Sequence, residues 1–342
     1  MTQSDAPILA ISMGEPAGIG GEIILKAWAR RMGTYPFFII DDPERLKKVN
    51  NQTRIRIPIQ AISSPSETLK IFPEALPVLP IDLISPLLAP VIPGKPNPAN
   101  AKAVISSIEF AVRLIFEKKA DAIVTIPIHK KTLYESGFSY PGHTEFLASL
   151  AGIETPPIMM LASNNLRVVP VTVHKSLRDA IDSLDIETII KAGQITTVSL
   201  NQDFGITNPR LAIAGLNPHA GEDGTMGNEE IDIIIPAINE LRKSGIDVIG
   251  PISPDTLFTE QSRKLFDAAI CMYHDQALIP IKAIAFESAV NITLGLPFVR
   301  TSPDHGTAFD IVNTGKANEN CLLAAIEMAG IMSRNRSTPQ LN

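Results

Sequence analysis

The sequence predicts an α/β protein with mainly parallel sheets and helices on both faces. Short apolar runs such as residues 8–13, 121–128 and 268–273 have the length and β-branched content of buried strands. Segments with helical periodicity, among them residues 101–118 and 229–244, alternate with these runs along almost the whole chain. Because this alternation is typical of parallel sheets, and because 342 residues can bury a large core, we expect two α/β domains.

The first half of the chain begins with a strand, a glycine-rich turn and a helix. Residues 8–13 lead through 14–22 into a helical pattern at 23–31, a geometry that directs N–H groups at an anion but also occurs in plain strand-to-helix turns. The apolar stretch 76–91 is interpreted as an extended loop with a short strand, because its prolines would break a spanning helix. The remaining predicted elements are a strand at 37–40, helices at 43–49 and 101–118, and a strand at 121–128.

The second half continues the alternation. A helix is predicted to begin near Thr144, a favourable N-cap residue type. The predicted strands that follow are 158–161, 167–174, 211–216 and 268–273, and the predicted helices are 177–184, 186–200, 229–244 and 321–332. Polar residues therefore come directly after several predicted strands, where open α/β sheets bind their ligands.

The composition excludes several classes of function. The chain has 30 basic and 36 acidic side chains, and no basic cluster is long enough for a nucleic-acid or membrane partner. Its start lacks the basic and apolar regions of a signal peptide. Cys271 and Cys321 lie in apolar runs typical of buried free thiols. These features predict a cytoplasmic protein.

Three of the six histidines share one sequence context. His174, His219 and His274 each follow a predicted strand or its short turn. Since the carboxyl ends of parallel strands lie at one sheet edge, these imidazoles can converge into a catalytic metal site, for which zinc or another borderline ion is suited. A histidine at a strand end is more often a hydrogen-bonded structural residue, so the pattern leaves both interpretations open. His129, beside two lysines, is interpreted as a solvated surface group.

A second group of residues suits an anion. Arg300 follows a run with the composition of a buried strand, and a buried arginine needs an anionic partner. Lys282 and Asn291 precede it, although Lys282 also fits an ordinary surface charge. Asp255 and Asp275 are candidates for orienting a metal ligand, binding a substrate amine or acting as a general base.

Six long motifs stand in order along the chain. They are MGEPAGIGGE (13–22), YPGHTEFLA (140–148), GLNPHAGEDGTMGNEE (215–230), GPISPDTLF (250–258), MYHDQALIPIK (272–282) and VNITLGLPFVRTSPDHGTAFDI (290–311). Together they closely resemble the motifs of the 4-hydroxythreonine-4-phosphate dehydrogenase family of pyridoxal phosphate biosynthesis. The resemblance runs nearly end to end, which argues strongly against a chance match.

This resemblance implies a two-domain fold like that of isocitrate and isopropylmalate dehydrogenases, in a homodimer with active sites at the subunit interface. By analogy, the first domain comprises residues 1–134 and 290–342 and contains the nucleotide loop. The second, residues 135–289, carries the metal ligands and the dimer contacts. The active site is expected in the cleft between the two domains.

The resemblance also implies roles for particular residues. The metal ligands would be His174, His219 and His274, some of them donated across the dimer. The substrate contacts would be His143, Thr144, Lys282, Asn291 and Arg300. The loop 304–310 resembles the adenosine-binding loop of the decarboxylating dehydrogenases, with His305, Gly306, Thr307 and Asp310 as cofactor contacts, so no Rossmann motif is needed.

The implied reaction is the oxidation of 4-phosphooxy-L-threonine by NAD or NADP, followed by loss of CO2. One divalent ion per site is expected, zinc in preference to magnesium or cobalt, with Asp275 or Asp255 as the catalytic carboxylate. Five positions depart from the family pattern, namely Glu15, Gly21, Ala277 and the pair 313–314. None of them is a metal or substrate ligand, but they leave the choice between NAD and NADP open.

Two other functions fit the same residues. One is a sister dehydrogenase that acts on 4-phospho-threonate, 4-phospho-erythronate or an aromatic dihydrodiol dicarboxylate through the same site. The other is a three-histidine zinc hydrolase in which the loop around His305 is only structural. A non-enzymatic metal-binding module is a weaker alternative, because it explains neither Arg300 nor the loop after it.

Overall fold

The computed structural model describes residues 6–338, which form two compact units. Unit 1 contains the described residues up to Glu154 and from Leu296 onward, and unit 2 is Thr155–Gly295. Two segments of the chain lie in a different unit from the one that the sequence predicted. Residues 135–154 stand in unit 1, because Phe146 and Leu147 are buried in its core. Residues 290–295 stand in unit 2, where most of them form a strand of its sheet.

Unit 1 is a parallel sheet with helices between its strands. Its elements are β1 (Leu9–Ser12), α1 (Gly20–Ala29), β2 (Phe37–Asp41), α2 (Pro43–Thr53), β3 (Ile59–Ala61), α3 (Thr68–Ile71), β4 (Leu76–Pro80), α4 (Ala101–Phe116), β5 (Ala122–Val124), α5 (Lys130–Glu135), α6 (His143–Ala151), β12 (Val299–Pro303) and α12 (Asn320–Ser337). The strand order is β3-β4-β2-β1-β5-β12, and every pair is parallel. Every residue of β1, β2, β5 and β12 is buried. Burial on both faces explains why β1, β2 and β5 are nearly continuous apolar runs, whereas β12 carries buried polar side chains, among them Arg300.

Unit 2 is a mixed sheet. Its elements are β6 (Ile158–Ser163), β7 (Leu166–Pro170), α7 (Leu177–Asp182), α8 (Ile186–Gln202), β8 (Arg210–Ala214), a π-helical turn (Glu230–Ile234), α9 (Ile235–Lys243), β9 (Asp247–Ile252), α10 (Pro254–Leu257), β10 (Ala268–Cys271), α11 (His274–Ala285) and β11 (Val290–Leu294). The order is β11-β6-β7-β10-β8-β9. The pairs β11–β6 and β6–β7 are antiparallel, and the other three pairs are parallel. The prediction of mainly parallel α/β layers is confirmed.

A buried ion pair fixes the glycine-rich turn that follows β1. The guanidinium of Arg45 donates from Nε to Oδ1 of Asp41 at 2.9 Å and from Nη1 to the carbonyl oxygen of Pro16 at 3.1 Å. Asp41 and Arg45 are almost fully buried, so each charge depends on the other for compensation. Burial also raises the pKa of Glu15, in the same turn. This network ties the turn after β1 to the start of α2.

Several local predictions are confirmed, and some boundaries move by a few residues. The proline-rich stretch contains the short strand β4, and both cysteines are buried free thiols. Helix α6 begins at His143 rather than at Thr144, with Gly142 in extended backbone as its N-cap. Across residues 6–338 no helix is long and apolar enough to span a membrane.

Candidate active site

The three histidine-bearing segments of unit 2 follow three neighbouring parallel strands. In the sheet, β10 lies between β7 and β8 and is parallel to both. His174, His219 and His274 come four, five and three residues after the ends of β7, β8 and β10. Parallel alignment puts all three carboxyl ends at one edge of the sheet, as the sequence predicted.

Two of these histidines line one cavity. The ring centroids of His174 and His274 are 6.1 Å apart, with an interplanar angle of 37°. The cavity has a volume of about 220 Å³, and its lining also includes Thr172, Tyr273 and Asp275. The hydroxyl of Thr172 donates to the carbonyl oxygen of Met272 at 2.8 Å, which holds the two segments side by side.

A carboxylate fixes the orientation of His274. Nδ1 of His274 is 2.7 Å from Oδ1 of Asp275, the next residue at the start of α11. A carboxylate that accepts a hydrogen bond from Nδ1 selects the tautomer in which Nε2 carries a lone pair. An imidazole held in this way is suited to bind a metal ion through Nε2.

His219 lies in an unusual loop. From His219 to Asp223 the backbone is continuously in the left-handed region, with φ between 40° and 81°. His174 also has a left-handed φ of 52°. This conformation costs about 1–2 kcal/mol for each residue other than glycine, and such strain clusters at functional sites. Two of the three candidate ligands therefore sit on strained backbone.

A second carboxylate lies near His219. The hydroxyl of Ser253 donates to Oδ1 of Asp255 at 2.6 Å and lowers the pKa of this carboxyl group, and the electrostatic influence of His219 lowers it further. Asp255 is thus ionised at neutral pH and close enough to His219 to interact with it.

Within residues 6–338 of one chain, no three His, Cys, Asp or Glu side chains are close enough together to hold a metal ion. The donor chemistry of the cavity nevertheless fits a divalent ion of the zinc type, because it presents two imidazoles, one of them oriented by a carboxylate. The structure thus brings His174 and His274 together and does not add His219 to them as a third ligand.

Unit 1 contains a buried arginine. Arg300, in β12, is 4% exposed, and burial lowers the pKa of its guanidinium to about 10. Its Nε and Nη2 donate to the hydroxyl of Thr125 at 3.1 and 2.7 Å. Because its surroundings disfavour the charged form on balance, an anion that approached Arg300 would be strongly stabilised.

Cations also surround His143, at the first position of α6. Desolvation, together with the charges of Arg300 and Lys130, holds the pKa of His143 well below its ordinary value. Its Nε2 is buried and has no hydrogen-bond partner among the described residues. Thr144 is the next residue of α6 and is half-buried. The two cations Lys130 and Arg300, together with the neutral imidazole of His143 that they influence, are called the cation group below.

The other two predicted substrate contacts belong to unit 2. Lys282 lies in the last turn of α11 and is half-buried. Asn291 is the second residue of β11, opposite Leu161 of β6. Both residues have polar or electrostatic partners in the structure.

The predicted nucleotide loop packs on the glycine-rich turn of unit 1. The N–H of Ile19 donates to the carbonyl oxygen of Thr307 at 3.1 Å. A Cβ atom at Gly18 would lie only 3.0 Å from that same oxygen, so any larger residue at this position would press against the loop. Within the loop, Nε2 of His305 is buried without a hydrogen-bond partner among the described residues, whereas Gly306 and Asp310 are exposed.

His129 is not the solvated surface group that the sequence suggested. It is half-buried, its Nδ1 is hydrogen-bonded to the hydroxyl of Thr132, and its ring packs edge-on against Phe309 at 5.1 Å. The neighbouring lysines were misleading because Phe309, more than 170 residues away in the chain, covers the ring. Sequence reasoning also missed Lys130, which no local pattern distinguishes from Lys131.

Comparison with known proteins identifies relatives along the whole chain. The family described as "Pyridoxal phosphate biosynthetic protein PdxA" matches residues 34–329. The 4-hydroxythreonine-4-phosphate dehydrogenase of Caulobacter vibrioides is 48% identical over 334 residues, which cover 96% of this chain and 98% of the relative. The crystal structure of the Klebsiella pneumoniae enzyme of that name has a TM-score of 0.87 and 37% identity, and covers 96% of this chain and 98% of its own. A terephthalate 1,2-cis-dihydrodiol dehydrogenase from Burkholderia xenovorans is more distant, with a TM-score of 0.64, 29% identity, and coverage of 95% and 98%.

The cation group can be tested by titration of one histidine. We expect Lys130→Met to raise the pKa of His143, because removal of a nearby positive charge favours the imidazolium. The measurement is an NMR titration of the His143 ring proton. Lys131→Met is the matched control, since Lys131 is the adjacent lysine and is not among the causes of the His143 shift. Equal titration curves for both variants would contradict the assignment of Lys130 to the group.

Proposed function

The chain belongs to the PdxA family of pyridoxal phosphate biosynthetic proteins, and we propose that it oxidises 4-phosphooxy-L-threonine with NAD or NADP. The product is 2-amino-3-oxo-4-phosphooxybutanoate, a β-keto acid that loses CO2 to give 3-amino-2-oxopropyl phosphate. The observation that carries this proposal is the pair of imidazoles at one cavity, in a chain whose relatives are named dehydrogenases. A divalent ion and a nicotinamide would act as Lewis acid and hydride acceptor when bound.

The cation group supplies the anion-binding chemistry that this substrate requires. The substrate has a phosphate and a carboxylate, and Arg300 can bind either group through two parallel hydrogen bonds. His143 is neutral at pH 7 and has an Nε2 atom to offer as a hydrogen-bond partner. We propose that these residues, with Thr144, Lys282 and Asn291, fix the substrate so that its reacting C–H bond points to the nicotinamide.

The metal ligands in this proposal come from both chains of a homodimer. His174 and His274 of one chain form the pair at the cavity. His219 is exposed on a loop whose neighbour Met226 is 45% exposed, and Leu177, which lines the cavity of His174 and His274, is 58% exposed. Exposed apolar side chains near both groups of ligands fit a contact between subunits. We therefore propose that the third ligand is His219 of the partner subunit.

The two carboxylates have related roles in this proposal. Asp275 orients His274 through Nδ1, and Asp255 lies close enough to His219 to interact with it electrostatically. Asp275 also lines the cavity, so its carboxylate is our candidate for the base that accepts the proton of the substrate hydroxyl. Zinc remains the ion that we favour, with magnesium or cobalt as alternatives.

The loop 304–310 is proposed to hold the adenosine part of the nucleotide. His305, Gly306, Thr307 and Asp310 are the contacts in question. Exposure of Gly306 and Asp310 leaves them accessible to a ligand, and the buried Nε2 of His305 is a polar atom that a ligand can satisfy.

The alternative function, a three-histidine zinc hydrolase, is not favoured over a dehydrogenase by the paired imidazoles or by the family membership.

The proposal is tested by NADH formation from 4-phosphooxy-L-threonine. We expect turnover that a chelator abolishes and that zinc, cobalt or magnesium restores, because an ion held by these histidines would lower the pKa of the substrate hydroxyl. Saturable nucleotide binding without turnover of this substrate would instead support the sister dehydrogenase alternative. The 29% identity to a dihydrodiol dehydrogenase makes an aromatic dihydrodiol dicarboxylate the second substrate to test.

Shared metal sites can be tested by mixing two inactive variants. His174→Ala and His219→Ala should each abolish activity as homodimers. In a mixed dimer, one site would combine intact His174 and His274 from one chain with intact His219 from the other. Random reassembly should therefore restore about a quarter of wild-type activity.

The matched control for this experiment mixes His174→Ala with His274→Ala. These ligands belong to the same chain in the proposal, so no mixed dimer contains an intact site and activity should stay absent. Recovery in the control mixture, or no recovery in the test mixture although heterodimers form, would rule out this distribution of ligands.

The contact between the glycine-rich turn and the nucleotide loop gives another prediction. In Gly18→Ala the added Cβ would approach the carbonyl oxygen of Thr307 at 3.0 Å and displace the loop. We expect KM for the nucleotide to rise about tenfold, equivalent to roughly 1.4 kcal/mol, with KM for the phosphorylated substrate unchanged. The unchanged KM for the phosphorylated substrate serves as the internal control for the fold of the variant. An unchanged nucleotide KM in Gly18→Ala would contradict the role of the loop.

A further inference from the structure

A buried carboxylate binds the start of the loop that carries His219. Glu230 is 2% exposed and lies at the beginning of the π-helical turn. Its Oε1 accepts hydrogen bonds from the N–H groups of Leu216 and Asn217, both at 2.7 Å. Its Oε2 accepts one from Nδ2 of Asn217 at 2.9 Å. One side chain thus satisfies two partly buried N–H groups of the loop backbone.

The loop also wraps closely around this carboxylate. A Cβ atom at Gly221 would lie 2.6 Å from Oε2 of Glu230, and one at Gly215 would lie 3.2 Å from Oε1. Gly221 is in the middle of the left-handed run, with φ of 81°. The strained conformation around His219 is therefore built directly over the carboxylate of Glu230, with glycines where the approach is closest.

A buried amide connects the same loop to the segment before His274. Oε1 of Gln276 accepts from the N–H of Met272 at 2.6 Å, and its Nε2 donates to the carbonyl oxygen of Gly215 at 2.7 Å. Gln276 is 6% exposed. Gln276 therefore fixes the distance between Met272, which is two residues before His274, and Gly215, which is four residues before His219.

We propose that Glu230 and Gln276, which we call the support pair, are positioning residues for the metal ligands. Glu230 holds the left-handed loop in the conformation that presents His219, and Gln276 fixes this loop relative to the segment of His274. The proposal rests on the metal site of the proposed function. In a dimer that shares ligands, the spacing within one chain affects both sites, because one chain supplies the pair to one site and His219 to the other.

The test is a titration with cobalt(II), followed by the visible absorption of the bound ion. We expect Glu230→Gln to weaken cobalt binding by about 10- to 100-fold and to change the visible spectrum at saturation, because the replacement amide directs an NH2 group at the loop. A role in stability alone would lower the melting temperature but leave the affinity and spectrum of the folded protein unchanged. Circular dichroism and Tm are measured in parallel.

Glu229→Gln is the matched control. Glu229 is the adjacent glutamate and accepts from Nδ2 of the same Asn217 at 2.7 Å. The substitution removes the same charge but leaves the bonds from Glu230 to the loop backbone in place, so cobalt affinity and spectrum should match the wild type. If Glu230→Gln also binds cobalt with wild-type affinity and spectrum, the positioning role is overturned.

Failure of the proposed function is recognised separately. Wild-type protein that binds no cobalt would overturn the metal site and, with it, the support pair. If Glu230→Gln does not fold, Gln276→Met decides by the same criterion, since methionine has a similar volume and forms neither hydrogen bond. Wild-type cobalt affinity and spectrum in folded Gln276→Met would overturn the inference.

Discussion

The parallel alignment of β7, β10 and β8 is the constraint on which the site in unit 2 depends. Parallel neighbours must bring their carboxyl ends to the same edge, so segments separated by up to 100 residues become adjacent there. The sheet brings the three segments close together, however, without deciding which of their histidines share a site. Two of the three histidines line one cavity, whereas His219 lies on a loop with left-handed backbone and is not part of that lining.

Buried polar groups carry out the finer positioning at this edge. Thr172, Gln276 and Glu230 each use a side chain to satisfy backbone groups of a histidine-bearing segment. A buried N–H or carbonyl group without a partner is costly, so these bonds strongly restrict the conformations open to each segment. The rigid edge of the sheet and the strained loop are therefore parts of one hydrogen-bonded structure.

The candidate site in unit 1 is distinguished by buried positive charge rather than by hydrogen bonds to the backbone. Burial lowers the pKa of Arg300, and burial together with the charges of Arg300 and Lys130 lowers the pKa of His143. An anionic ligand would favour the charged form of Arg300, whereas Arg45 forms an ion pair with Asp41 that serves the turn after β1. The same residue type, a buried arginine, thus has a structural role at one position and a candidate binding role at the other.

The sequence by itself determined the fold class, the family and the strand ends that carry the histidines, because apolar periodicity and long ordered motifs are local properties of the chain. Tertiary structure alone decided that His129 is covered by Phe309 and that Lys130, rather than Lys131, affects His143. It also decided that Glu230 reaches the loop of His219. These outcomes depend on residues distant in sequence, whose approach is set by packing and hydrogen bonding that no local pattern encodes.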